Sequence, residues 1–191
     1  MATKTLAENL RGPGAASPGS ALCLGLDPGS RFTGFGLVHR EGRHLRLVAH
    51  GCIRLSPSLE LAERLARIFR DVHELVEKHR PDHVAVETPF QGVNPRSLIV
   101  LAQARGAALA AVATAGLPVV ELSPSEIKAA VVGSGAGDKA QVEKMVRLIL
   151  GMRDATLRAD ESDALAAAIC LAQRQDRWAK VSPSLRRLEA K

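Results

Sequence analysis

Aromatic side chains are scarce in this chain: of 191 residues none is tyrosine, one is tryptophan and four are phenylalanine. An aromatic outside an apolar run is therefore conspicuous. Cysteine is sparse too. Cys23, Cys52 and Cys170 stand far apart among apolar neighbours, so no C-x-x-C pair is available for a zinc site and all three read as small core groups. The histidines, His39, His44, His50, His73, His79 and His83, show no ligand pairing and read as surface or strand residues. The first twenty residues, rich in Ala, Gly, Pro and Ser, lack the apolar stretch of a secretion signal, and no segment reads as membrane-spanning in length. No internal repeat is visible. The expectation is a soluble cytoplasmic protein with a flexible extension over 1–20, one compact domain over 21–178 and a basic tail over 179–191.

Charge leans one way. Lys and Arg number 26 against 20 acids, which makes a polyanionic partner plausible. From Gln173 onward stand Arg174, Arg177, Lys180, Arg186, Arg187 and Lys191 against Asp176 and Glu189. That tail either lies near nucleic acid or is a solvated terminal cluster.

Four acids carry the chemical signal. Asp27 closes the apolar run 21–26 and is stopped by Pro28-Gly29, the pattern of a buried strand ending in a turn. Glu87 ends a second brief apolar stretch, His83 to Val86. Asp160 and Asp163 open an alanine-rich helical segment, and their i, i+3 spacing puts both on one helix face. Hard oxygen donors on two strand ends and a helix face suit Mg²⁺ or Mn²⁺, and two such ions can serve an in-line phosphoryl displacement. Taken singly, each acid has a plainer reading: Asp27 as a turn residue, Asp160 as a helix N-terminal charge, Glu87 and Asp163 as solvated groups. Glu161, about 100° round the helix from Asp160, reads as a surface residue.

The element order follows from periodicity. Gly34–Val38 and His44–Ile53 flank the turn signal Glu41-Gly42 and form an antiparallel pair beside the first strand. Leu61, Leu65, Ile68, Phe69, Val72, Leu75 and Val76 make a helical stripe. Then come the Glu87 strand, a helix over Ser97–Ala115, a strand Val119–Leu122, a helix begun by Pro124, and helices over Asp138–Leu150 and Asp160–Arg177. The fold class is α/β: a five-stranded mixed sheet, three strands antiparallel then two parallel, with helices on both faces.

Together, Leu24-Gly25-Leu26-Asp27-Pro28-Gly29-Ser30 with Thr33-Gly34, Gly51-Cys52-Ile53, Glu87 followed by Phe90, Gln103-Ala104-Arg105-Gly106, Val131-Val132-Gly133, and Ala159-Asp160 through Asp163-Ala164-Leu165-Ala166 resemble the RuvC Holliday-junction resolvases of the ribonuclease-H-like superfamily. The likeness runs from about Ala21 to Ala172 in the family's order and spacing. It implies an endonuclease that resolves four-way DNA junctions in recombination and repair, by paired nicks in strands of like polarity that leave 5′-phosphate and 3′-hydroxyl ends. It implies two Mg²⁺ or Mn²⁺ ions per site held by Asp27, Glu87, Asp160 and Asp163, with Asp27 bridging both. It also implies a homodimer working beside a branch-migration motor of two other proteins, of RuvA and RuvB type.

By the same resemblance, Lys128 and Lys139 match positions that contact the DNA backbone near the site, and Lys139 also serves catalysis; Arg96 and Arg105 are placed at the DNA. Phe90 matches an aromatic that wedges at the crossover, and base stacking would give it an apolar partner. Without the resemblance, Phe90 packs equally well over the helix Leu61–Val76, and the two lysines read as solvated. The helix Ser97–Ala115, with Ala102, Ala104, Gly106, Ala107, Ala108, Ala110 and Ala111, is the expected dimer element, although small residues serve packing on the sheet just as well. Three other readings stay open: a nuclease of the same superfamily acting on RNA, a sugar-kinase or actin-like ATPase, for which one domain is too few, and a non-enzymatic junction-binding protein.

Overall fold

The run Ser20–Pro28 is apolar toward both sides because the strand it forms, β1, lies in the middle of a sheet covered on both faces. A computed structural model describes residues 20–88, 95–152 and 156–185, the last eleven as backbone alone. Five strands stand in the order β3-β2-β1-β4-β5. β2 (Phe32–Glu41) and β3 (His44–Arg54) continue from β1 as an antiparallel meander, with Gly42 in the left-handed region at φ 59° in the tight turn between them. β4 (His83–Glu87) and β5 (Val119–Leu122) then add in parallel on the far side of β1. β2 extends beyond the expected Gly34–Val38, because Phe32 and Thr33 still pair with Arg54 and Ile53.

Helices α1 (Leu61–His79) and α2 (Pro95–Thr114) make the crossovers and cover one face. Leu24, Leu26, Leu37, Val84 and Val86 point to them and pack on Ile68, Val72, Ala104, Ala108 and Ala111. α1 buries the stripe its spacing predicts, and its first turn is closed by Glu63, whose carboxylate accepts from the Glu60 backbone N–H at 2.9 Å. The segment Ser97–Thr114 of α2 does reach spanning length and apolarity, with mean hydropathy 1.5 over 18 residues, contrary to the sequence reading. Its Ala104, Ala108, Ala111 and Val112 are buried in the core, while only 28% of the segment is buried overall.

On the opposite face lie α3 (Pro124–Val132), α4 (Lys139–Ile149) and α5 (Ala159–Leu185). Ser123 with Glu126, and Asp138 with Gln141, form capping boxes that fix where α3 and α4 begin. α5 runs past the expected Arg177, so the boundary expected at 178/179 falls inside a helix.

The placement of α5 decides the rest. A Cβ on Gly25 would overlap the Ala164 carbonyl oxygen, and one on Gly34 would overlap that of Asp160. Helix backbone therefore rests on strand backbone, with alanines 164, 166, 167, 168 and 172 all buried. At the other end Arg40 of β2, itself buried, donates from Nη1 to the Ala172 carbonyl at 2.9 Å. Some 18 Å of helix is thus pinned at both ends.

Gly25→Ala and Gly34→Ala are expected to destabilise the fold by roughly 3 kcal/mol, at the upper end of overpacking costs, since the clashing atoms are backbone and cannot rotate away. Thermal denaturation checks this; a melting temperature within a degree or two of the parent contradicts the contact.

Candidate active site

Parallel pairing of Leu26 with Val86 brings the next residues, Asp27 and Glu87, side by side where β1 and β4 end. Strand periodicity sets their side: Asp27 lies two residues beyond Gly25, and Glu87 two beyond Ala85, and both reference residues face the α3–α5 layer. Asp160 and Asp163 occupy the first turns of α5. The Asp160 carbonyl sits against Gly34, which pairs across the sheet with Asp27. Two strand ends and one helix start therefore converge, and the four acids expected to share a site are brought together.

Their charges act on one another. Burial, followed by the carboxylates of Asp163, Glu87 and Asp160, pushes Asp27 up to about 7, while the Lys139 ammonium pulls the other way. Burial and Asp163 also raise Glu87, opposed by Lys139 and Lys128. Lys139, the first residue of α4, has its Nζ 3.4 Å from Asp163 Oδ2 with its side chain 83% exposed, and Asp163 holds its pKa above the usual lysine value. Lys128 is half-buried on α3, close enough to act on Glu87.

All four donors are carboxylates, the chemistry that Mg²⁺ and Mn²⁺ favour. Among the described residues, no three His, Cys, Asp or Glu side chains already enclose a common point at ligand distance, as expected of like charges that repel. The set suits a divalent cation in donor type and in surplus negative charge, and ion binding would draw the carboxylates closer.

Several residues sit otherwise than the sequence suggests. Arg105, expected at the DNA, is buried: its Nη2 lies 2.8 Å from Glu121 Oε2 and its Nη1 donates to the Glu87 carbonyl at 3.3 Å. It ties α2 and β5 to the end of β4, and a helix-borne arginine carries no sequence mark to announce this. Glu161 is no free surface group, since its carboxylate accepts from His50 Nδ1 at 3.1 Å with the Glu side chain 13% exposed. Cys52, two pairs along β3 from His50, is half-buried rather than core. Burial and the neighbouring Asp160 raise its thiol pKa. Beside it, Arg158 Nη2 lies 3.9 Å from Asp160 Oδ2. Phe90 and the side chain of Arg96 lie outside the described residues.

A five-stranded mixed sheet of this order, with acids on the adjoining ends of its two central strands and on a helix crossing them, defines a ribonuclease-H-like nuclease fold. The family model described as Crossover junction endodeoxyribonuclease RuvC matches residues 23–171. The protein of that name from Alkalilimnicola ehrlichii is 49% identical over 158 residues, 83% of this chain and 94% of its own length. The solved Thermus thermophilus RuvC is 34% identical with a TM-score of 0.76, over 82% of this chain and 96% of that one. A second Thermus thermophilus RuvC structure, in complex with a Holliday junction substrate, is 35% identical with a TM-score of 0.75, over 78% and 92%. The chain belongs to the RuvC family of crossover junction endodeoxyribonucleases and is an enzyme of that metal-dependent class.

The raised pKa of Asp27 has a definite sign. A folded-state value of about 7, above the ordinary 3.8, means the folded chain holds this proton more tightly than the unfolded one, so ionising Asp27 costs stability as pH rises through that window. In chelator, this group's contribution is expected to lower the melting temperature between about pH 4 and pH 7 and to level off above, with Mg²⁺ restoring it most at the higher pH. Calorimetric titration with Mn²⁺ should show close to one proton released from Asp27 per site at about pH 6 and almost none above about pH 8.5. Proton release that does not change with pH contradicts the assignment.

Proposed function

We propose that this chain resolves four-way DNA junctions in recombination and repair by hydrolysing one phosphodiester in each of two strands of like polarity. The convergence of Asp27, Glu87, Asp160 and Asp163 carries the reading. These four would hold two divalent ions, Mg²⁺ or Mn²⁺, with Asp27 between its three partners. When bound, the ions would supply Lewis-acid polarisation of the scissile phosphate and a nucleophilic water at neutral pH.

The chain's own groups do the rest. Glu87 is held by Arg105 through its backbone carbonyl, and Asp160 by the seat of α5 on Gly34, so the backbone positions from which the carboxylates reach the site are fixed. Lys139, exposed beside Asp163, faces the side from which a phosphate arrives, where its ammonium offsets negative charge that grows as the water oxygen bonds to phosphorus. The bond from phosphorus to the 3′ oxygen breaks, that oxygen takes a proton, and 5′-phosphate and 3′-hydroxyl ends remain. Lys128 adds positive charge on the Glu87 side. Phe90 is retained as the crossover wedge and Arg96 as a DNA contact.

Two like cuts in a two-fold junction call for two related sites, which a homodimer supplies. α2 supports this. Its Ala104, Ala108 and Ala111 turn inward, whereas Leu98, Ala102, Gly106 and Ala110 form an exposed row at helical spacing, with Ile99 60% exposed beside it. That row is the proposed dimer face. A branch-migration motor of RuvA and RuvB type is the proposed partner, and the cytoplasm its location.

Cleavage of a synthetic mobile four-way junction, mapped at nucleotide resolution with Mg²⁺, Mn²⁺ or chelator, tests the reading. Symmetric ion-dependent nicks are expected, lost by at least ~10³-fold in Asp27→Asn, and Lys139→Ala should lower cleavage far more than junction binding. Cutting of RNA hairpins with four-way junctions left intact would overturn it. For the assembly, Gly106→Glu is expected to shift sedimentation from dimer to monomer at micromolar concentration; a monomeric parent contradicts paired incision.

A further inference from the structure

Beside the acids, on the β2–β3 side, lies a cluster that the reaction above leaves unused. Phe32, the first residue of β2, carries the Arg158 guanidinium 4.1 Å from its ring centroid, and the Arg54 guanidinium approaches the same ring at 6.0 Å. Arg158 has its side chain 44% exposed, and its nearest carboxylate, Asp160 Oδ2 at 3.9 Å, is at the outer limit of an ion pair. Arg54 is exposed, and no ion pair to it appears among the described residues. Gathering two like charges at one ring costs repulsion, and no acid in the cluster offsets both.

We propose that Arg158, seated on Phe32 and accompanied by Arg54, docks a backbone phosphate of the DNA on the Asp160 side of the site, opposite Lys139 on the Asp163 side. The inference rests on the reading of the site as a junction nuclease. An aromatic face holds a guanidinium plane with its N–H edge outward; the Cys52 sulfur engages part of that edge, and the other N–H groups of the five-donor fork suit a phosphate's paired oxygens. The platform is fixed: the Leu55 N–H donates to the Arg31 carbonyl at 3.0 Å, and Arg64 Nη1 donates to the Ser30 carbonyl at 3.2 Å, so the β1–β2 turn that leads into Phe32 is tied to the end of β3 and to α1. A strand crossing the acids then meets fixed positive charge on both sides: Lys139, 3.4 Å from Asp163, and Arg158, 3.9 Å from Asp160.

The test is anisotropy of a labelled four-way junction with the full chain in chelator, which stops cleavage, titrated from about 50 to about 200 mM salt. Arg158→Gln is expected to weaken binding roughly fivefold and to reduce the slope of log affinity against log salt by about 0.9, the share of one phosphate. Arg158→Lys, which keeps the charge and loses the stacking, should regain the slope and only part of the affinity, and melting temperatures establish that both variants fold. A Gln variant with the parent's slope overturns the inference, as does one whose only defect is slower single-turnover cleavage, because Arg158 would then serve Asp160 instead. A parent chain that fails to bind the junction overturns the functional reading itself, an outcome distinct from either.

Discussion

Backbone resting on backbone is the constraint from which the rest of this protein follows. α5 comes close enough to β1 and β2 for its carbonyls to occupy the space a Cβ would need at Gly25 and Gly34. Such contact needs glycine on the strands and small residues on the helix, and the alanines between 164 and 172 supply the second half. What it achieves is reach. Carboxylate side chains are short, so acids from a sheet and a helix can address one point only if the two backbones nearly touch. With larger side chains holding the helix off the sheet, Asp160 and Asp163 would stand farther from Asp27.

Burying the acids and bringing them together costs the folded chain, and the upward shifts of Asp27 and Glu87, caused first by burial and then by their neighbours' charges, express it. The structure offsets part of that cost locally. The amino end of α5 points its partial positive charge at Asp160, Lys139 stands against Asp163, and Arg158 stands near Asp160. None of these cations is buried, so each remains able to exchange a carboxylate for a phosphate.

Much of this was legible in the sequence, for a physical reason. A central strand covered on both faces must be apolar throughout, so an acid where such a run ends is conspicuous, and Asp27 and Glu87 both announced themselves in that way. The face they share came only with the structure, which sets Gly25 and Ala85 against the α3–α5 layer. The stripe of α1 is a local signal and was equally readable; the capping boxes of α3 and α4 are local too but were not singled out beforehand. Long-range partners are not. Nothing near Arg105 tells that its guanidinium turns inward to Glu121 and the Glu87 carbonyl, because its partners lie 16 and 18 positions away in other elements. Glu161 was read as solvated since helix geometry turns it away from Asp160; it does turn away, but toward His50 of β3 rather than toward water. The small residues of α2 could not be sorted until the inward row and the outward row were seen separately.

Consecutive residues of α2 divide the two tasks proposed for the molecule. Arg105 points in and steadies the strand end bearing Glu87, while Gly106 lies open on the outer row. Anything that presses on that outer surface bears on a rod whose next residue grips the nuclease centre. In the proposed dimer the separation between assembly and chemistry is a single peptide unit, so a shift of α2 at the subunit contact would bear through Arg105 on the backbone at the end of β4.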